Sequence, residues 1–333
     1  MKRMMSLLAA PVVALIAPSA IVSPAFAQGN PASRSAPVDC DRACMESLVE
    51  RVLDAMVARD VSQLPLASTV RVTENGIARP VWDGLWKTAS ARGRYKLHVV
   101  DSDHGQAAFI GSMIENGVPV YLVLRIAVRE QKIAEIETIV ARAGAAGPPS
   151  PTAGEYAEQR GTPRPALTRA VPTGERMSRA DLTRVADSYF AHLQGNDGRR
   201  TANFADSCLR LENGRQTNSM PRSAPAGQPD ILAMDCTTQI GSGFFAFVTG
   251  IRDRRYPIVD RERGLVLSFS FWDHSGAVPT VTVSGKHSIK APFLSPKTLH
   301  IAELFQIDKG RIDQIEAVEN TVPYGMRSDY WDE

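Results

Sequence analysis

The chain repeats itself, and the repeat limits the folds open to it more than any other feature. Lys132–Val140 reads KIAEIETIV and Arg311–Glu319 reads RIDQIEAVE, so Ile133 meets Ile312, Ile136 meets Ile315 and Glu137 meets Glu316. Upstream, Val70-Arg71-Val72-Thr73-Glu74-Asn75-Gly76 is mirrored by Leu209-Arg210-Leu211-Glu212-Asn213-Gly214, a turn whose Asn-Gly tolerates positive φ. Each turn follows an amphipathic helix. Met45, Leu48, Val52, Leu53, Met56 and Val57 recur at helical spacing after Asp41, and Leu182, Val185, Ala186, Tyr189 and Leu193 do so after Ser178. One short match is noise; helix, turn and closing strand in the same order are not. Each unit is read as a helix followed by a strongly bent antiparallel sheet, the α+β class.

Strands are expected in the first unit near Tyr95–Val100, Gln106–Ile114, Pro119–Arg129 and Lys132–Ala141. Between the units, residues 143–174 carry proline, glycine and alanine without periodicity and read as a linker. In the second unit, the stretch from Phe244 to His274 runs FFAFVTGI, RDRRYPIVDRERG, LVLSFSFWDH. It reads as a hairpin of two aromatic, β-branched strands around a charged turn that ends in Gly264. Leu265, Leu267, Phe269 and Phe271 share one face by alternation, Asp273 continues it, and His274 would point outward unless a bulge intervenes.

The N-terminus has a different character. Lys2 and Arg3 precede an apolar run that ends in Ala25-Phe26-Ala27, the layout of a secretory signal cleaved after residue 27. Residues 28–39 would be a flexible leader, and no later run of about 18 apolar residues follows, so a protein free of the membrane after cleavage is expected. The expected location is periplasmic or secreted. Cys40, Cys44, Cys208 and Cys236 make an even count, which in an oxidising compartment favours disulfides with three possible connectivities. The pairings 40–44 and 208–236 are the simplest, and the spacing lacks the CxxC pair or nearby histidines of a zinc site. A net charge of +2, with acids beside the arginines, gives no basic stripe for nucleic acid.

Several of these motifs together resemble a known family. They are the helix, the Glu-Asn-Gly turn, Gly84-Leu85-Trp86, the RRYPIVDRERGLV hairpin, the strand ending in FWDH, and the Pro323-Tyr324-Gly325-Met326 tail. They look like a secreted family of uncharacterised function, found in fungi and bacteria and related to the SnoaL-like branch of the nuclear transport factor two-like superfamily. The resemblance covers residues 40–333 outside the linker. It implies tandem cone-like domains, 40–142 and 175–333, each with helices packed on a curved antiparallel sheet around a deep apolar pocket. The superfamily holds cofactor-free isomerases, dehydratases, cyclases and lyases beside binding and scaffold modules. The Asp–His and Asp–Tyr constellations of its enzymes align with no motif here, so no catalytic residue is carried over.

Candidate residues come from the patterning instead. Aligning the penultimate strands sets Leu122, Leu124, Ile126 and Val128 on Ile301, Glu303, Phe305 and Ile307. A glutamate on an otherwise apolar face has its charged form disfavoured, which suits proton transfer; an arginine neighbour or a wet face is the plainer account. Asp273 is a second candidate acid or base, unless it belongs to a turn with Ser275-Gly276. His287, in VTVSGKHSIK, is placed on a middle strand as a base or donor, or as a half-exposed strand residue. Tyr189 lies on the helix's apolar stripe, where its hydroxyl needs a partner. Arg254 and Arg255, at the hairpin tip, would cap the pocket mouth and hold an acidic or phenolate substrate, or form a solvated turn. Phe271 and Trp272 would line the pocket. Trp82 and Trp86 either stack a ligand or pack in the core, and Glu137 and Glu316 serve the shared fold or an interface.

No GxSxG elbow, HExxH helix, glycine-rich phosphate loop or dinucleotide fingerprint occurs. The expectation is a cofactor-independent lyase or isomerase acting on a small apolar, aromatic or cyclic compound in the second domain. The alternative is a secreted protein that binds such a compound without chemistry. The sheets of the two halves are expected to meet as an intrachain pseudo-dimer, with a homodimer left open.

Overall fold

The computed structural model describes residues 40–142, 151–199 and 202–329; the signal and leader expected over 1–39 lie outside them. The first half opens with α1 (Arg42–Ala58), N-capped by Asp41, whose carboxylate accepts the Cys44 N–H at 2.9 Å. There follow β1 (Leu66–Glu74), β2 (Ile77–Ala78), α2 (Leu85–Thr88), β3 (Ala89–Asp101), β4 (Gln106–Glu115), β5 (Val118–Arg129) and β6 (Lys132–Ala141). Next come α3 (Ala153–Arg160) and α4 (Pro165–Thr168). The second half runs α5 (Arg179–Leu193), β7 (Phe204–Glu212), β8 (Arg215–Gln216), α6 (Cys236–Ile240), β9 (Gly250–Asp260) and β10 (Leu265–His274). It ends with β11 (Thr280–Val283), β12 (His287–Lys290), β13 (Lys297–Asp308) and β14 (Arg311–Val322).

The fold is α+β, built on two six-stranded sheets of matching order, β2-β1-β6-β5-β4-β3 and β8-β7-β14-β13-β10-β9. The sheets are mixed rather than wholly antiparallel. β1 lies parallel to β6, and β7 parallel to β14, because each opening strand returns from its helix to run beside the last strand of its own sheet. Register shifts in the β3–β4 and β9–β10 ladders mark bulges, which bend the strands. One face of each sheet is closed by its helix. Met45, Val49, Val52, Leu53 and Met56 of α1 enter the first core, and Leu182, Ala186, Tyr189, Phe190 and Leu193 of α5 enter the second.

The other faces meet. Tyr95, Leu97, Val99, Ile110 and Val123 of the first sheet form one buried layer with Ile258, Leu265, Leu267, Phe269 and Leu304 of the second. The edges of the layer are tied by reciprocal ion pairs. Arg42, at the start of α1, binds Asp260 of β9 at 2.6 Å, while Arg179, at the start of α5, binds Asp101 of β3. Asp101 also accepts the Val259 N–H at 3.0 Å, and Asp260 accepts the Val100 N–H at 3.3 Å. Glu137 takes Arg255 from the second half, and its equivalent Glu316 accepts Tyr95 and Tyr121 hydroxyls from the first. These two glutamates therefore stand at the junction of the sheets.

Two local expectations change. Phe244–Phe247 is a single helical turn and not a strand, because its phenylalanines bury together against Phe293 and His274. The β-strand starts only at Gly250, so Arg252, Arg254 and Arg255 lie within β9 and not in the hairpin tip. The segment expected as linker is also structured over its described part, 151–174. Thr152 and Glu155 form a capping box on α3. Gly154 sits so close to the chain that a Cβ there would fall 2.2 Å from the Pro119 carbonyl, a contact only glycine allows. Arg160 then donates to the Gly214 carbonyl at 3.0 Å and Arg164 to Gln314 at 2.7 Å, strapping the segment to the second half.

Cysteines pair as Cys40–Cys44 and Cys208–Cys236. No helix among the described residues is long and apolar enough to cross a membrane.

Candidate functional site

The repeat can be read position by position on the structure. Asn75 accepts the Val140 N–H and Asn213 accepts the Glu319 N–H, each at 2.9 Å, so Val140 and Glu319 are equivalent. Val72 lies opposite Ile136 and Arg210 opposite Ile315; Leu124 lies opposite Thr138 and Glu303 opposite Ala317. Counting from the caps Asp41 and Ser178 sets Val52 on Tyr189. In the first half all four positions are apolar core: Val52, Val72, Leu124 and Val140. In the second they are Tyr189, Arg210, Glu303 and Glu319. Where the first half has four aliphatic side chains between helix and sheet, the second has a phenol, a guanidinium and two carboxyls.

These groups share the helix-covered face of the second sheet. Tyr189 is 0 % exposed, and Arg210 and Glu303 are each 2 % exposed. Around them pack Phe190, Phe204, Trp272 and Phe305, with ring centroids 5.3–6.4 Å from that of Tyr189. The Arg210 guanidinium carbon stands 5.8 Å from the Tyr189 ring centroid and 5.3 Å from that of Phe245, a cation over two aromatic faces. Its Nη1 donates to Gln239 and its Nη2 to Glu212 at 2.5 Å. The Tyr189 hydroxyl faces both Arg210 and Glu303, yet it, Glu303 Oε2 and Arg210 Nε make no hydrogen bond of good geometry. Buried polar groups are rarely left so, and here three lie together.

Burial dominates the electrostatics. It pushes the Glu303 carboxyl up to about 8 against the pull of Arg210, with Glu212 and Glu319 repelling its charge further. Glu319, half-buried, is raised to about 8 by desolvation and by Glu212. Desolvation also raises the Tyr189 phenol well above its ordinary range, with Arg210 opposing. Near neutral pH the buried cluster therefore holds a neutral carboxyl and a neutral phenol beside a permanent cation. That is a set able to donate a proton, take one back, and face a developing negative charge.

Of the residues expected from sequence, Glu303, Tyr189 and Trp272 come together here. The others do not. Asp273 points to the opposite sheet face, bound by Arg252 at 2.8 Å and by the Thr298 hydroxyl at 2.6 Å. Alternation puts neighbours on opposite faces, so the buried one under the helix side is His274, not Asp273. Phe271 shares the Asp273 side, stacked on His300 with ring centroids 4.3 Å apart. Arg255 crosses to Glu137 in the first half and lies over Phe269, so it holds the two sheets together and caps no pocket mouth. Arg254 pairs with Asp187 of α5 at 2.9 Å on the outer side. His287 is on the separate β11–β12 hairpin, not on a middle strand, and lines an open cleft of about 340 Å³ with Arg222, Asp230 and Lys286. In the first half Trp86 is core and Trp82 is exposed.

Sequence reasoning missed Arg210, Glu212, Glu319 and Gln239. The signal for Arg210 and Glu319 lies in the repeat itself, where they stand against Val72 and Val140. Gln239 has no counterpart to compare, since it lies in the long 217–249 connection that replaces the short 79–88 stretch of the first half. Among the described residues, no group of three His, Cys, Asp or Glu side chains could hold a metal ion.

Residues 175–319 match the model of a domain of unknown function, DUF8021. The match spans α5 and all of the second sheet but the end of β14, and contains every residue of the polar cluster. No curated protein matches the chain.

Proposed function

We propose that the second half is a cone-like unit of the SnoaL-like kind that works as a cofactor-independent lyase or isomerase on a small apolar, aromatic or cyclic compound. The observation that carries this reading is the meeting of the Glu303 carboxyl, the Tyr189 hydroxyl and the Arg210 guanidinium, all buried and interacting with one another. Glu303 would remove or relay the substrate proton. A carboxyl raised to about 8 is a strong enough base when ionised and a ready acid when not. Tyr189 and Arg210 would donate to the oxyanion that develops on the substrate. Trp272 and Phe305 supply the apolar wall, and the first half, whose equivalent positions are all aliphatic, supports the second without a site of its own. Two disulfides favour work in the periplasm or outside the cell.

The test is native mass spectrometry of the purified protein after incubation with a periplasmic small-molecule extract, run beside Glu303→Gln and Tyr189→Phe. Conversion of a captured compound by wild type and its intact retention by Glu303→Gln is the expected result. Equal capture by all three without conversion would replace the enzyme by a binding protein. No capture would overturn both.

A further inference from the structure

The Arg210 guanidinium is held by more than its own strand. Gln239 Oε1 accepts from Arg210 Nη1, while Gln239 Nε2 donates to the Thr217 carbonyl at 2.6 Å and the Ile231 carbonyl at 2.8 Å. All of its amide is therefore used, and it can sit only one way round: flipping it would set an NH2 against a guanidinium and an oxygen against two carbonyls. Gln239 is 1 % exposed and lies on α6, which starts at Cys236, the residue bonded to Cys208 two places before Arg210 on β7. Asn218 closes the frame by accepting the Arg210 N–H at 2.8 Å and donating to the Cys208 carbonyl at 3.1 Å. With Nη1 fixed by Gln239 and Nη2 by Glu212, the planar guanidinium has no freedom to turn.

We infer that Gln239 is a positioning residue: stapled to β7 through α6 and the Cys208–Cys236 disulfide, it turns the Arg210 guanidinium so that Nε serves the Tyr189–Glu303 end of the site. This rests on the proposed function for its purpose but not for its test. Gln239 touches no reacting atom; it acts only through Arg210. A leucine there would keep the volume, take away the acceptor of Nη1 and the donor to the Thr217 carbonyl, and let the cation drift toward Glu212, away from Glu303.

The experiment is carbon NMR titration of the Glu303 carboxyl in wild type, in Gln239→Leu and in Cys208→Ala/Cys236→Ala, with thermal unfolding of each. An opposite charge within about 4–6 Å is worth about one to three pH units to a carboxyl, and Arg210 acts on Glu303 through space. The Glu303 midpoint is therefore expected to rise by about one unit in Gln239→Leu and by less in the cysteine variant, which loosens α6 but keeps the amide. A lower unfolding temperature with an unmoved Glu303 midpoint would overturn the inference, because a merely structural glutamine would give that. Should Gln239→Leu fail to fold, the cysteine variant reads the same quantity: an upward shift supports the inference, and an unmoved midpoint overturns it. A wild-type Glu303 that titrates at the ordinary carboxylate value would strike at the proposed function instead, whatever Gln239 does.

Discussion

Glu303 and Leu124 occupy one position in two sheets: each lies on the penultimate strand, opposite the residue two before the partner of the Asn-Gly turn, facing its helix. The first half thus shows what the second would be as plain core. Glu303→Leu should stabilise the protein by about 1–3 kcal/mol at pH 8, since replacing a buried, imperfectly paired charge with a packed aliphatic is often favourable. Urea unfolding of both proteins checks it, and a loss of stability would mean that Glu303 is better paired than its free Oε2 indicates. Conversion of any captured compound should vanish in the same variant.

The same glutamate sets a pH dependence. Glu303 and Glu319 are raised from 4.5 to about 8, so between those values the folded chain keeps protons that the unfolded chain has released. Stability therefore falls as pH rises through that window, by on the order of a few kcal/mol. His274 and His300 are lowered by burial from 6.5 to about 4, so the unfolded chain takes up protons first and stability falls as pH drops through that range. The opposing slopes put the optimum between about pH 4.5 and 6.5. Thermal unfolding from pH 4 to 9 should show it, and Glu303→Gln should roughly halve the alkaline slope, Glu319 keeping the rest.

The junction between the sheets makes a separate prediction. Asp260 is buried with Arg42, and Asp101 with Arg179; each aspartate also accepts an N–H beside the other. Asp260→Asn leaves Arg42 with the more exposed Glu262 and Glu46 and should cost about 2–4 kcal/mol. Asp101→Asn should cost a similar amount, and because the pairs share the β3–β9 crossing the double variant should lose less than the sum. A double-mutant cycle in urea that proved additive would show the two pairs to be independent.

How far the sequence reached is explained by what periodicity can encode. The two-fold plan, the helices under Met45 and Leu182, and Glu303 as an odd residue on an apolar strand were all legible, because each follows from local spacing. The hairpin tip was misplaced because three nearby phenylalanines bury as well in a tight turn as on a strand. Asp273 and Arg255 were misassigned because alternation tells which residues share a face but not what that face meets. Both sides of β10 are buried, one under α5 and one against the first sheet. Gln239 was invisible because its role comes from a non-repeated connection and a disulfide whose pairing only the fold brings together.

That disulfide should matter more than its neighbour. Cys208–Cys236 closes a separation of 28 residues and Cys40–Cys44 one of 4. Loop-closure entropy makes the first worth about 3–4 kcal/mol and the second about half as much. The two also differ in what they anchor. Cys40–Cys44 braces the exposed start of α1, whereas Cys208–Cys236 fixes α6 over Arg210, so its loss should loosen the 217–249 segment locally before the sheet opens. Hydrogen exchange of Cys208→Ala/Cys236→Ala should therefore show faster amides in α6 with β13 and β14 still protected. Uniform acceleration across the second half would mean that the disulfide stabilises the fold alone and not the site.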